Sequence, residues 1–202
     1  MSKLYVISAP SGAGKTSLVR ALLERRTDLV VSVSHTTRKP RAQEIEGQHY
    51  YFVSPTRFEE LVSAGEFLEH ARVFDNCYGT GAAQVQGRLA AGADVILEID
   101  WQGAAQVRRA LPGCVSIFIL PPSRESLEQR LRARGTDSLE VVERRLRDAV
   151  TDMSHYLDFD YVVINDRFEQ ALLDLQAILD GHGEGLRADR PALAPLTQQL
   201  LR

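Results

Sequence analysis

Residues 8–18 read SAPSGAGKTSL, and their types and spacing suit the capture of a phosphate chain. Glycines at 12 and 14 permit a turn that aims several backbone N–H groups inward. A helix that follows at once adds the positive end of its dipole. Lys15 would bring an ammonium to the β and γ phosphates, and Thr16 a hydroxyl to Mg2+. The usual pattern is G-x-x-x-x-G-K-(S/T); here its first glycine is Ala9. Alanine is tolerable there where its φ is negative and its methyl points away from phosphate. Ala9, Pro10, Ser11, Gly12, Ala13, Gly14, Lys15, Thr16 and Ser17 are thus the expected seat of a nucleoside triphosphate. Asp100 ends the apolar run DVILEID, where parallel sheets put their ligand crevice. It suits a contact to Mg2+ through a water. Glu98 lies two residues earlier on the same strand face and fits a structural ion pair as well as it fits a role.

A second group of residues suits a phosphate held still while it attacks. Arg38 and Arg41 flank Pro40 in TTRKPR, offering two guanidinium forks, and Tyr50 and Tyr78 add phenolic donors. Taken alone, Arg-Lys-x-Arg reads as a solvated basic loop. Arg130 and Arg134, four apart, share a helix face. In the next helical pattern Leu139, Val142, Leu146, Val150 and Met153 make the apolar stripe. Arg144 points almost opposite that stripe, and Arg145 and Arg147 flank it. A GTPase switch is disfavoured, because no Asn-Lys-x-Asp guanine motif occurs.

These groups need a frame, and the apolar runs supply one. Leu4–Ser8, Val30–Val33, Asp94–Asp100, Val115–Leu120 and Tyr161–Ile164 read as buried strands. Helical patterns at 16–25, 81–92, 102–110, 123–134, 138–154 and 166–180 separate most of them. That alternation predicts a parallel sheet covered on both faces. Residues 35–80 break the rhythm with a short strand pattern HYYFV, a helix opening at Ser54-Pro55 and a strand-like FLEHARVF, hence an inserted α+β segment. Its helix takes a face from Phe58, Leu61 and Val62, with Pro55 in the first turn. From Gly181 three glycines in five residues predict a loosely attached tail, although Leu193, Leu196, Leu200 and Leu201 are spaced for a docked helix.

The bulk numbers exclude more than they assign. A chain of 202 residues, 44% hydrophobic and 25% charged, is ordinary for one soluble core. A net charge of −3 gives no general reason to expect nucleic acid or an acidic membrane as partner. No apolar run approaches the ~20 residues that span a bilayer, and the amino terminus lacks a signal peptide's layout. Cys77 and Cys114 stand apart, as reduced thiols of a cytoplasmic protein do.

SAPSGAGKTSL, SVSHTTRKPR, GQHYYFVS, FLEHARVFDNCYGT, ILEIDWQGA, FILPPS and RLRARGTD resemble, in order and spacing, the guanylate kinase family. The likeness runs from about residue 3 to 180 and covers Ala9, since bacterial members commonly carry APSGAGK. It implies an α/β P-loop kinase: a parallel five-stranded core sheet flanked by helices, a small α+β GMP-binding insert and a helical lid. The implied boundaries are core 3–34, 81–129 and 147–180, insert 35–80, lid 130–146 and tail 181–202. The implied reaction is ATP + GMP ⇌ ADP + GDP, with Mg2+ carried on ATP, and with no nucleic acid or membrane as partner. The resemblance puts the GMP phosphate on Arg38, Arg41, Tyr50 and Tyr78, with Ser34 nearby, and the guanine on Glu69, Thr80 and Asp100. Asp100 is then claimed by both base and metal. A carboxylate at 69 would accept from guanine N1–H and its amino group, and Thr80 would donate to O6; adenine presents the opposite pattern. The likeness makes Arg130, Arg134 and Arg145 lid arginines that join Lys15 in catalysis, and sets Asn165 beside the ATP adenine. No general base is implied, because a phosphate with its second pKa near ~6 is already ionised at neutral pH. Glu69 and Thr80 argue against a kinase of ribose phosphates, and the intact Gly12, Gly14, Lys15 and Thr16 against a non-catalytic scaffold.

Overall fold

In the computed structural model, residues 2–73, 75–133 and 139–202 are described, Leu139 by its backbone alone. The apolar runs become β1 (Leu4–Ser8), β2 (Leu29–Val31), β7 (Asp94–Glu98), β8 (Val115–Leu120) and β9 (Tyr161–Ile164). They form one five-stranded sheet in the order β2-β7-β1-β8-β9. Its pairs β2–β7 and β8–β9 run parallel, as near-continuous apolar strands predict. Two strands are shorter than expected. Strand β2 stops at Val31, and β7 stops at Glu98 because Asp100 serves as N-cap of the following helix.

The chain divides into two compact units, Met1–Val6 with Thr27–Val115, and Ile7–Arg26 with Ser116–Arg202. The first holds β3 (His35–Thr36), β4 (Tyr51–Phe52), α2 (Pro55–Ser63), β5 (Phe67–Val73), β6 (Asn76–Gly81), α3 (Ala82–Ala90) and α4 (Trp101–Ala110). Its second sheet has the order β4-β3-β6-β5, parallel at β3–β4 and antiparallel at β3–β6 and β5–β6. The strand read at HYYFV is only Tyr51–Phe52, while β3 and β6 were not expected. Helix α2 starts as its residues dictate: the Ser54 hydroxyl accepts from the Arg57 N–H at 3.1 Å, Pro55 fills the first turn, and Phe58 and Leu61 are buried.

The second unit holds α1 (Lys15–Arg25), α5 (Arg124–Ala133), α6 (Leu139–Ser154), α7 (Phe168–Leu179) and α8 (Ala194–Leu200). Leu127 and Leu131 of α5 pack with Val142 and Ala149 of α6, and Leu146 joins them half-buried. Val150, expected in that stripe, is only half-buried, and Ala149 takes the inner place. The tail differs most from expectation. Arg187 bridges to Tyr161, the Ala188 N–H donates to the Asp160 carbonyl at 3.1 Å, and Leu193 and Leu200 are buried. Burial of two leucines outweighs the flexibility of the glycines before them. Among the described residues no helix is long and apolar enough to cross a membrane.

Candidate active site

The phosphate-loop residues lie in the second unit, between β1 and α1. Gly12 (φ 93°) and Gly14 (φ 94°) occupy left-handed conformations, which residues with a Cβ rarely adopt. The Ala13 N–H closes a turn on the Pro10 carbonyl at 3.1 Å. Gly14 is the N-cap of α1 and makes no side-chain cap hydrogen bond, and a helix N-terminus favours an anion through its dipole. Pro10, Gly12 and Ala13 are buried, Ala9, Ser11, Gly14 and Lys15 half-buried, and Thr16 and Ser17 exposed.

Two more of the expected residues meet this loop from behind. Asn165, 5% exposed, donates from Nδ2 to the Ala13 carbonyl at 2.7 Å. Arg130 donates to the Asn165 carbonyl at 2.8 Å and to the Ala13 carbonyl at 3.5 Å. Both side chains therefore brace the loop's backbone. On α6, Arg145 is half-buried while Arg144 and Arg147 are exposed, a distinction that spacing alone left open. Arg134 lies outside the described residues.

The other group lies wholly in the first unit. Arg38 makes a forked ion pair with Glu44, NH2 to Oε1 at 2.7 Å and NH1 to Oε2 at 2.9 Å. The same Oε2 accepts the Arg41 backbone N–H at 2.8 Å. The guanidinium also stands over the Tyr50 ring at 5.4 Å, and Tyr50 meets Tyr78 edge-on at 5.9 Å. Glu44 holds the Arg38 guanidinium well above its usual pKa, and Arg38 in turn holds the Glu44 carboxyl below its own. Burial, with Tyr78 and Glu98 nearby, pushes the Tyr50 phenol up, so it stays a neutral donor at pH 7. Arg41's side chain is exposed. Sequence reasoning missed Glu44; the one available signal was an acid three residues after the basic run Arg38-Lys39-Pro40-Arg41.

Behind this polar cluster three buried side chains are linked. Thr80 (0% exposed) donates its hydroxyl proton to Oε1 of Glu69 (2% exposed), and Ser34 lies 3.2 Å from the Thr80 oxygen. Glu69 and Thr80 face each other across the β5–β6 ladder, which explains how residues eleven apart meet. A hydroxyl has one proton, and Thr80 gives it to Glu69. In this arrangement the Thr80 hydroxyl orients the acid.

Asp100 works at the start of α4. Its Oδ1 accepts the Gly103 N–H at 2.9 Å, and Gln102 donates to Oδ2 at 3.2 Å. Further along α4, the Gln106 amide makes a two-way bond with the backbone of His70, at 2.7 and 3.1 Å. It thereby ties the helix to the strand that carries Glu69.

The family profile described as guanylate kinase matches residues 1–182. A guanylate kinase of Alkalilimnicola ehrlichii is 56% identical over 198 residues, 98% of each chain. That of Escherichia coli K12 is 53% identical over 189 residues, 93% of this chain and 90% of the relative. A crystal structure of guanylate kinase from Anaplasma phagocytophilum superposes with a TM-score of 0.75 at 34% identity, covering 98% of this chain and 94% of that one. A strand-loop-helix phosphate seat and a buried acid-hydroxyl pair, on a chain so matched from end to end, leave one assignment: the chain belongs to the guanylate kinase family.

Proposed function

We propose that this chain divides its reaction between the two groups of residues, ATP on the loop and GMP on the Arg38–Glu69 cluster. The reaction is transfer of the γ-phosphoryl group from ATP to GMP, giving ADP and GDP. In this reading Ala9–Ser17 enclose the triphosphate, and Lys15 neutralises charge that develops on it. Arg130, Arg134 and Arg145 add cations around the moving phosphoryl group, and Asn165 fixes the loop near the adenine end. Arg38, Arg41, Tyr50 and Tyr78 hold the GMP phosphate. Glu69, oriented by Thr80 and Ser34, accepts from guanine N1–H and the 2-amino group, and Asp100 approaches the base from the α4 end. The working division is core 3–34, 81–129 and 147–180, insert 35–80, lid 130–146 and tail 181–202.

The acceptor phosphate is ionised at neutral pH, so the residues need only aim it in line and stabilise charge. The donors present fit Mg2+ carried by the triphosphate: a threonine hydroxyl in the first helical turn is one protein ligand, and phosphate oxygens and waters supply the rest. No group of three metal-ligating side chains occurs among the described residues, and a phosphate-borne Mg2+ asks for none. Thr16 would hold such an ion together with the nucleotide's own phosphates, and it would supply charge neutralisation beside Lys15. Neither Cys77 nor Cys114 is in a disulfide, which supports a cytoplasmic setting.

The observation that carries the reading is the buried Glu69–Thr80 pair, an acid desolvated and held by a hydroxyl, which supports Glu69 as the group that accepts from the base. A coupled ADP-release assay across GMP, AMP, CMP, UMP and ribose phosphates tests it. GMP is expected to lead AMP by about 10⁴-fold or more in kcat/KM, the scale for sites built around hydrogen bonds. Comparable turnover of AMP, or faster turnover of a ribose phosphate, overturns it.

A further inference from the structure

Gly103 is the third residue of α4, and its φ is not positive, so its backbone does not call for glycine. Glycine is also the weakest helix former after proline. The reason for it lies outside the helix. A methyl group built on Gly103 would overlap Oε2 of Glu69, lie 3.1 Å from Cδ of that side chain and 3.4 Å from Asp100 Oδ1. The acid has little freedom to step aside in place: it is 2% exposed, and its other oxygen accepts from Thr80, which is fully buried.

We infer that Gly103 is a specificity-determining position: the space left by its missing side chain is where the Glu69 carboxylate stands, and α4 thereby sets the acid's presentation to a purine. The inference rests on the reading of Glu69 as the group that accepts from the base. The atoms that collide are the far end of a side chain, not backbone. A methyl at 103 therefore displaces the Glu69 carboxylate rather than the main chain and forces it out of its present pose on Thr80. Guanine needs both oxygens, one for N1–H and one for the 2-amino group. Hypoxanthine lacks that amino group and needs only one. Displacing the acid must then harm GMP more than IMP.

The test compares wild type, Gly103→Ala and Glu69→Gln, each assayed for kcat/KM with GMP and IMP and for KM with ATP. In Gly103→Ala the GMP-over-IMP ratio is expected to fall by about tenfold or more, the scale of one lost charged hydrogen bond. Its KM for ATP stays at the wild-type value. An unchanged ratio in Gly103→Ala beside a collapsed ratio in Glu69→Gln overturns the inference and leaves the reading of Glu69 standing. An unchanged ratio in both variants overturns that reading, and the inference with it. Stability gives an independent arm, decisive even where Gly103→Ala alone does not fold. With the acid removed, Glu69→Ala/Gly103→Ala should melt at or above the midpoint of Glu69→Ala, because alanine is the better helix former. A double variant that melts below Glu69→Ala places the collision with other atoms and overturns the proposal.

Discussion

Glu44 shows what a single residue does around a binding charge. It engages both NH groups of Arg38 and the backbone N–H of Arg41, so it aims the Arg38 guanidinium and pins the turn beside it. Its own negative charge opposes an incoming phosphate, yet the ion pair is 14–16% exposed and an unaimed arginine loses more than repulsion costs. Glu44→Ala should therefore raise KM for GMP by about tenfold or more and leave KM for ATP unchanged. In an Arg38→Ala background the same substitution should add little, since its target is gone. Full additivity in that cycle would show that Glu44 acts elsewhere. The sign of the pH effect follows from the pair. Arg38 holds the Glu44 pKa below its ordinary 4.5, so the stabilisation is complete above 4.5 and is lost as pH falls through the lowered value. Melting curves of wild type and Glu44→Ala should thus differ at pH 7 and converge in stronger acid.

Elements set which of these residues could be read in advance. The phosphate loop was legible because strand, loop and helix are contiguous, and the five core strands because each is apolar on its own. Strand β6, NCYGTG, has two glycines and little strand preference; it is a strand because β3 and β5 pair with it from both sides. Glu69 has the same cause. An isolated acid in FLEHARV reads as exposed, and it is buried by the ladder to Thr80 and by α4 at Gly103. The docked tail was hidden for a related reason, since its backbone joins Asp160 and Tyr161, more than twenty residues back in the chain. Asp100 was legible as an acid at a strand end, but not as the N-cap of α4, a role that separates its charge from its geometry. Asparagine caps a helix about as well as aspartate does, while alanine costs ~0.5–2 kcal/mol. Asp100→Asn should then keep the wild-type melting midpoint, and Asp100→Ala should lower it by several degrees, at roughly 2–4 °C per kcal/mol for a chain of this size. A drop in GMP turnover common to both reports the carboxylate's charge. Equal melting of all three proteins would remove the cap from the account.

At the scale of the whole molecule the chain is two compact units, and the proposed nucleotide seats do not share one. The loop, Asn165 and Arg130 belong to the unit Ile7–Arg26 with Ser116–Arg202; Arg38, Glu44, Glu69 and Thr80 belong to Met1–Val6 with Thr27–Val115. In-line transfer requires the attacking oxygen to come within about 3–3.5 Å of the γ-phosphorus. Two nucleotides brought to that distance favour binding together over binding alone. Any such preference is a coupling free energy, and it must be reciprocal: GMP tightens an ATP analogue by the same factor as the analogue tightens GMP. The expected factor is about 5–150-fold, the usual range for coupled sites. Titration calorimetry of GMP with and without a saturating non-hydrolysable ATP analogue, and of the analogue with and without GMP, measures it from both directions. Lys15→Ala should shrink the factor more than it weakens GMP alone, because in the proposed reading Lys15 serves the triphosphate. Affinities that stay the same whichever nucleotide is added first would mean that the two seats fill independently, and that the units do not communicate before the phosphoryl group moves.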